Sequence, residues 1–150
     1  MIHYVPEIEG TPVVGFLARA WVDLLENNLW DKTLILLTRD LQCVYLTESI
    51  DHTDHPTKWL DTREHIRGAI SFYYDEDDKF VSINLAYVDP DFRRLGIMSD
   101  MWAEVVKRAK EQGAQYIANV CYPGNTAIQE FCKSAGGYEY SREYRINVPQ

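Results

Sequence analysis

The sequence predicts an α/β (α+β) fold, and three observations carry that prediction. Residues Phe80 to Val88 alternate, with Val81, Ile83, Leu85 and Tyr87 on one face and Ser82, Asn84, Ala86 and Val88 on the other, the two-residue period of a strand with one polar face. From Gly96 onward the apolar residues Ile97, Met101, Trp102, Val105, Val106 and Ala109 recur at helical spacing, and Gly113 stands where such a helix is capped. Ala114 to Cys121 then reads as a further strand, followed by Tyr122-Pro123-Gly124 and a helix from Asn125 to about Ala135, closed by Gly136-Gly137.

The other elements follow from similar signals. Thr11-Pro12 starts a helix with proline at the first position, and Val13, Phe16, Leu17, Ala20, Leu24 and Leu25 form its apolar stripe. Lys32 to Asp40 reads either as a second helix before a strand from Gln42 to Glu48, or as one half of a hairpin with it. Ile66 to Tyr74 and Phe80 to Val88 read as two strands joined by the solvated acidic turn Asp75-Glu76-Asp77-Asp78. C-terminal strands are expected near Tyr138 to Tyr140 and Glu143 to Val148, aromatic enough to cover an acceptor or to pair with another subunit. The polar connection from Ser49 to His65 holds three of the four histidines, and Trp59, His52 and His55 are candidates for shaping a cleft there. Asp51, His52, Asp54 and His55 are metal-ligand types, but no flanking framework fixes their geometry, and no metal is assigned.

Composition narrows the class of function. A length of 150 residues with 46% hydrophobic residues suits a single domain, residues 1–150, with a substantial core. No basic start precedes an apolar stretch, and no apolar run approaches the ~20 residues needed to span a bilayer, so a cytoplasmic protein without a membrane partner is expected. Three cysteines without paired spacing, Cys43, Cys121 and Cys132, suit reduced thiols. The net charge of -8 argues against nucleic-acid binding, which needs basic surface, and makes a cationic partner natural.

The most informative stretch is Tyr87 to Ser99, YVDPDFRRLGIMS, in which a strand end passes through an acidic turn into Arg93-Arg94-Leu95-Gly96 and then a helix. The first turn of a helix leaves backbone N–H groups unpaired at the positive end of the helix dipole, and glycine lets a ligand come close to the backbone. Such a junction suits a diphosphate, with Arg93 and Arg94 adding charge at its entrance.

From about Phe80 to Tyr138 the chain resembles the GNAT superfamily of acyl-coenzyme A-dependent N-acetyltransferases. The family's Arg/Gln-x-x-Gly-x-Gly/Ala turn falls on Arg93 to Met98, after a Val-x-Pro-x-aromatic run matched by Val88-Asp89-Pro90-Asp91-Phe92. Its second signature, an Asn opening a helix that ends in an aromatic after glycine, is matched by Asn125 and by Gly136-Gly137-Tyr138. The resemblance implies a mixed, mostly antiparallel sheet with splayed middle strands and helices on both faces, and it favours the helix over Lys32 to Asp40.

It also implies acetyl-CoA as co-substrate and a primary amine as acceptor: a small amine, a peptide N-terminus or a lysine side chain. Arg93, Arg94, Leu95, Gly96, Ile97, Met98 and Ser99 would hold the phosphates, Ala86, Tyr87 and Val88 the pantetheine arm, and Asn125 the pantetheine or the helix start. Three departures from the family pattern stand out. Met98 replaces a small residue. Cys132 occupies the place of a Tyr that protonates the departing thiolate, and is either that acid or a buried packing residue. Ser82 stands near the usual Glu base, with Asn84 on the same face, so both are catalytic candidates, relaying through water to a carboxylate such as Glu48, or simply polar lining. Three readings follow: an active enzyme, a catalytically degenerate acyl-CoA-binding sensor, or an interaction module that keeps only the scaffold. A homodimer is compatible with each.

Overall fold

The computed structural model describes residues 1–30, 40–48 and 65–149. Five strands form one sheet in the order β1 (Ile2–Val5), β2 (Gln42–Thr47), β3 (Ile66–Asp75), β4 (Phe80–Val88) and β5 (Tyr116–Asn119). The first three pairings are antiparallel and β4 pairs with β5 in parallel. Among the described residues three helices accompany them: α1 (Val13–Glu26), α2 (Ile97–Gln112) and α3 (Thr126–Ser134).

The sheet has a core on each face. On one side Val13, Phe16, Leu17, Ala20 and Leu24 of α1 bury against Cys43, Ala69, Leu85 and Tyr87. On the other, Ile97, Met101, Val105 and Ala109 of α2 bury against Val44, Ile70, Phe72, Val81 and Ile83. Both helices bury the stripe expected of them, since a 3.6-residue period keeps those side chains on one surface. Leu25 of α1 is only half-buried and Val106 of α2 is exposed. The β3–β4 hairpin turns on the acidic run, where the Asp78 amide donates to Asp75 Oδ1 at 2.9 Å.

Several expectations need correction. Val81, Ile83, Leu85 and Tyr87 do not share one face. The register steps from Phe72 opposite Ile83 to Ser71 opposite Leu85, so Asn84 is an extra residue in β4. This β-bulge turns the strand over, sending Val81 and Ile83 to the α2 core and Leu85 and Tyr87 to the α1 core. Strand β5 occupies only Tyr116–Asn119, the part that finds partners on β4. No strand forms at Tyr138 to Tyr140 or Glu143 to Val148; Tyr138, Tyr140, Tyr144, Ile146 and Val148 are all highly exposed. Alternation marks which side chains share a face, whereas a strand also needs an edge to accept it. Strand β1, four residues long, has no clear sequence signal. The expected helix over Lys32 to Asp40, except Asp40, and the connection with Asp51, His52, Asp54, His55 and Trp59 lie outside the described residues.

Candidate active site

The parallel ladder between β4 and β5 ends at Ile83 opposite Asn119. Beyond it β4 continues from Asn84 to Val88 with no β5 partner, and the chain after β5 leaves the sheet at the exposed Val120. Strands β4 and β5, the last two of the described sheet rather than its middle pair, therefore part in a fork. Ala86, Tyr87 and Val88 present one edge of backbone to this opening while their other edge pairs with Ile70, Ala69 and Gly68 of β3. An extended ligand arm can lie there as an added strand.

Val88 leads into the turn. Asp89 Oδ1 accepts from the Asp91 amide at 3.1 Å, and Pro90–Phe92 makes a single 3-10 turn. Arg93 folds back, its Nε donating to the Val88 carbonyl at 3.0 Å and its guanidinium lying 5.3 Å from the Tyr87 ring centre. Its first duty is to fasten the turn to the strand, which leaves its remaining N–H groups for a ligand. Arg67, which sequence reasoning did not single out, ties the same turn down through Asp89 at 3.5 Å, Glu48 at 3.1 Å and the Phe92 ring at 4.5 Å. Arg94 is exposed, in left-handed backbone conformation at φ 65°, and is the unengaged cation of the turn among the described residues.

Gly96 caps α2 at φ 79° and offers no side chain to the helix amides. A side-chain carbon added there would meet nothing within 4 Å, so the space in front of the first turn is open. Leu95 and Ser99 are exposed and Ile97 is buried. Met98 packs against the α2 core, which keeps its bulk off the helix mouth. An open glycine cap, first-turn amides and an adjacent arginine fit a diphosphate; Asp100, also in the first turn, is the one opposing charge there.

The catalytic candidates fall on different sides of the sheet. Asn125 caps α3, its Oδ1 accepting from the Ile128 amide at 3.3 Å, so its structural duty is the helix start. Phe131 of α3 meets Trp102 of α2 edge-on with ring centres 5.6 Å apart, which places α3 beside α2. Cys132 Sγ accepts from Asn119 Nδ2 at 3.6 Å and thus sits near the vertex of the fork, on the α2 side. It is half-buried. Ser82 pairs with Ala118, below the fork, and Asn84 Oδ1 accepts from the buried Ser71 hydroxyl at 3.1 Å. Glu48 is not within relay distance of Ser82. It belongs with Arg67 at the far end of β3, whereas Ser82 lies opposite Tyr73, six residues along a strand that rises about 3.3 Å per residue.

A different carboxylate meets a side chain of the strand that borders the fork. Tyr87 Oη donates to Asp23 Oδ2 of α1 at 2.5 Å, and Asn27 Nδ2 donates to Asp23 Oδ1 at 3.1 Å. Burial, reinforced by the Asp23 hydrogen bond and charge, pushes the Tyr87 hydroxyl up to about 12. Tyr87 therefore keeps its proton at neutral pH and fixes Asp23 as a hydrogen-bond acceptor on the α1 side. The pair is 64 residues apart in sequence, beyond any local pattern.

The model of the Acetyltransferase (GNAT) family matches residues 21–137. Among solved structures, the chain is similar to the aminoglycoside acetyltransferase meta-AAC0020 from an uncultured soil metagenomic sample, in complex with sisomicin, with TM-score 0.67 and 14% identity over 99% of this chain and 96% of that one. It is similar to aminoglycoside N-acetyltransferase AAC(6')-Iy in complex with CoA, with TM-score 0.59 and 18% identity over 100% of this chain and 99% of that one. It is also similar to ribosomal-protein-alanine N-acetyltransferase from Brucella melitensis biovar Abortus 2308, with TM-score 0.61 and 13% identity over 99% of each chain. No curated protein matches the sequence. Likeness at these identities establishes the fold, and the sequence match across most of the chain establishes the family. With its forked sheet and glycine-capped helix, this chain belongs to the GNAT family of acetyltransferases, whose acetyl donor is acetyl-CoA.

Proposed function

We propose that this protein is an N-acetyltransferase that moves the acetyl group of acetyl-CoA directly to a primary amine in a ternary complex, the acceptor being a small amine, a peptide N-terminus or a lysine side chain. The observation that carries the reading is the fork, in which β4 runs on past its last β5 partner and ends in an open, glycine-capped helix start. In this reading the amides of Gly96 to Ser99 hold the diphosphate with Arg94 beside them, and the pantetheine arm runs along Ala86 to Val88.

The acceptor nitrogen attacks the thioester carbonyl carbon; the C–N bond forms, the C–S bond breaks and the electron pair leaves on the coenzyme sulfur. The Val88 backbone amide, on the edge of β4 turned away from β3, polarises the carbonyl. Cys132 stands on the α2 side, where it can return a proton to the departing sulfur, and Asp23 stands on the α1 side, where it can receive the amine's proton. Ser82 and Asn84 are polar lining on the α1 side. Asp23 and Glu26 outnumber Arg19 in the same surface depression, and with a net charge of -8 they favour a cationic acceptor. The domain would act as a single unit in the cytoplasm.

Two measurements test the reading. Calorimetry with acetyl-CoA is expected to show binding, and thiol release in a panel of amines is expected to exceed the acceptor-free rate. Binding without release for any amine would favour an acyl-CoA sensor, the reading supported by the absence of a carboxylate at Ser82 and Asn84. Asp23→Asn is expected to lower kcat/KM for the amine about 100-fold at neutral pH, the usual scale for a general base, while acetyl-CoA affinity holds. Equal turnover in that variant would remove Asp23 from the reaction.

A homodimer is the assembly we favour. Among the described residues the alternating Tyr138, Tyr140, Tyr144, Ile146 and Val148 have no partners in the sheet, and β5 leaves one edge open. Light scattering is expected to give a dimer for the full chain and a monomer once residues 138–150 are deleted; a full-length monomer at high concentration would dismiss the assembly.

A further inference from the structure

Two thiols flank Asn119 at the vertex of the fork. The Asn119 side-chain amide donates to Cys132 Sγ at 3.6 Å, and the Cys121 thiol donates to the Asn119 carbonyl at 3.9 Å, so both sulfurs lie against the last residue of β5. Asn119 is thus the shared neighbour of the two thiols. Both residues are half-buried, whereas the third cysteine, Cys43, is fully enclosed in the core. Cys121 follows the end of β5 and precedes the exposed Tyr122-Pro123-Gly124 turn, so no strand ladder holds its backbone in place.

We propose that Cys121 and Cys132 are a redox-active dithiol, a modification site on the α2-side wall of the fork that low-molecular-weight disulfides close to an intramolecular disulfide. The chemistry is two successive exchanges. Cys132 loses its proton and attacks one sulfur of a disulfide RSSR, forming a mixed disulfide and releasing RS–, which takes up a proton. Cys121 then loses its proton and attacks Cys132 Sγ, expelling the second RS–, which is protonated in turn. Two electrons pass to RSSR, which ends as two RSH, and the new S–S bond ties the end of β5 to α3. Burial and the neighbouring Cys132 push the Cys121 thiol up to about 11, so little of it is thiolate at neutral pH, and the second step relies on Asn119 holding the two sulfurs near one another. The fork reading gives the site its consequence, because Cys132 would lose the proton it offers to the departing coenzyme sulfur.

The test uses the reduced full-length chain, incubated with oxidised glutathione, quenched with iodoacetamide, digested and weighed. The expected product is a peptide pair joined through Cys121 and Cys132, reversed by dithiothreitol, with Cys43 alkylated only after denaturation. In Cys121→Ser the glutathione adduct on Cys132 is expected to persist, since nothing resolves it. Recovery of both thiols fully alkylated, or of two separate glutathione adducts in the unsubstituted protein, would overturn the proposal. No acetyl-CoA enters this measurement, so failure of coenzyme binding in calorimetry would count against the proposed function and leave the dithiol standing.

Discussion

Gly96→Asp is expected to weaken acetyl-CoA binding by more than about 100-fold, or roughly 3 kcal/mol. The added side chain has room, since nothing lies within 4 Å of its first carbon, so the variant folds. Its φ of 79° costs a non-glycine residue about 1 kcal/mol, which the domain can bear. What changes is the electrostatics of the helix mouth. A carboxylate at the cap lies beside the first-turn amides and occupies the space a diphosphate needs, and it repels whatever phosphate remains. Gly96→Ala separates the two effects, because it carries the backbone strain without the charge, and a loss of only a few-fold is expected there. Calorimetry on both variants, with circular dichroism to confirm folding, reads the difference. Unchanged affinity in Gly96→Asp would place the diphosphate elsewhere.

Gly68→Val is expected to cost about 2–3 kcal/mol of stability and to weaken acetyl-CoA binding with it. Gly68 lies on β3 opposite Val88, directly beneath the start of α2. A carbon added there would sit 2.9 Å from Met101 Cε, 3.2 Å from Met101 Sδ and 3.2 Å from Ile97 Cγ2. The end of Met101 is flexible and can give way to Gly68→Ala at about 1 kcal/mol, but Ile97 is β-branched and stiff in a helix. Valine's two further methyl groups therefore lift the first turn of α2 away from β4 and misplace the amides that are to hold the phosphates. Urea denaturation reads the first effect and calorimetry the second. A stability loss below about 0.5 kcal/mol, the range of surface substitutions, would mean that α2 is not pinned by contact at Gly68.

Much of this architecture is legible before any coordinate is known. Phe80–Val88 as a strand, the α2 helix between Gly96 and Gly113, and the Asn125 cap of α3 are written in side-chain alternation, helical spacing and glycine or capping residues, all of which act within a few positions of one another. The turn residues Arg93 to Ser99 are legible for the same reason. The local rule fails first at Asn84, where an unbroken alternation conceals a bulge that only pairing with β3 creates.

The bare sequence thus determined the helices, the hairpin and the family-bearing turn, because each rests on interactions between near neighbours in the chain. Only the tertiary structure decided that β4 and β5 part after Ile83, that Arg93 is spent partly on Val88, that Asp23 meets Tyr87 and that Cys121 and Cys132 share Asn119. Most of these contacts join residues that are distant in sequence, and the turn-fastening bond of Arg93 depends on how the strand end is held. Their partners are chosen by strand register and by the cores on each face of the sheet, which no short window of residues contains.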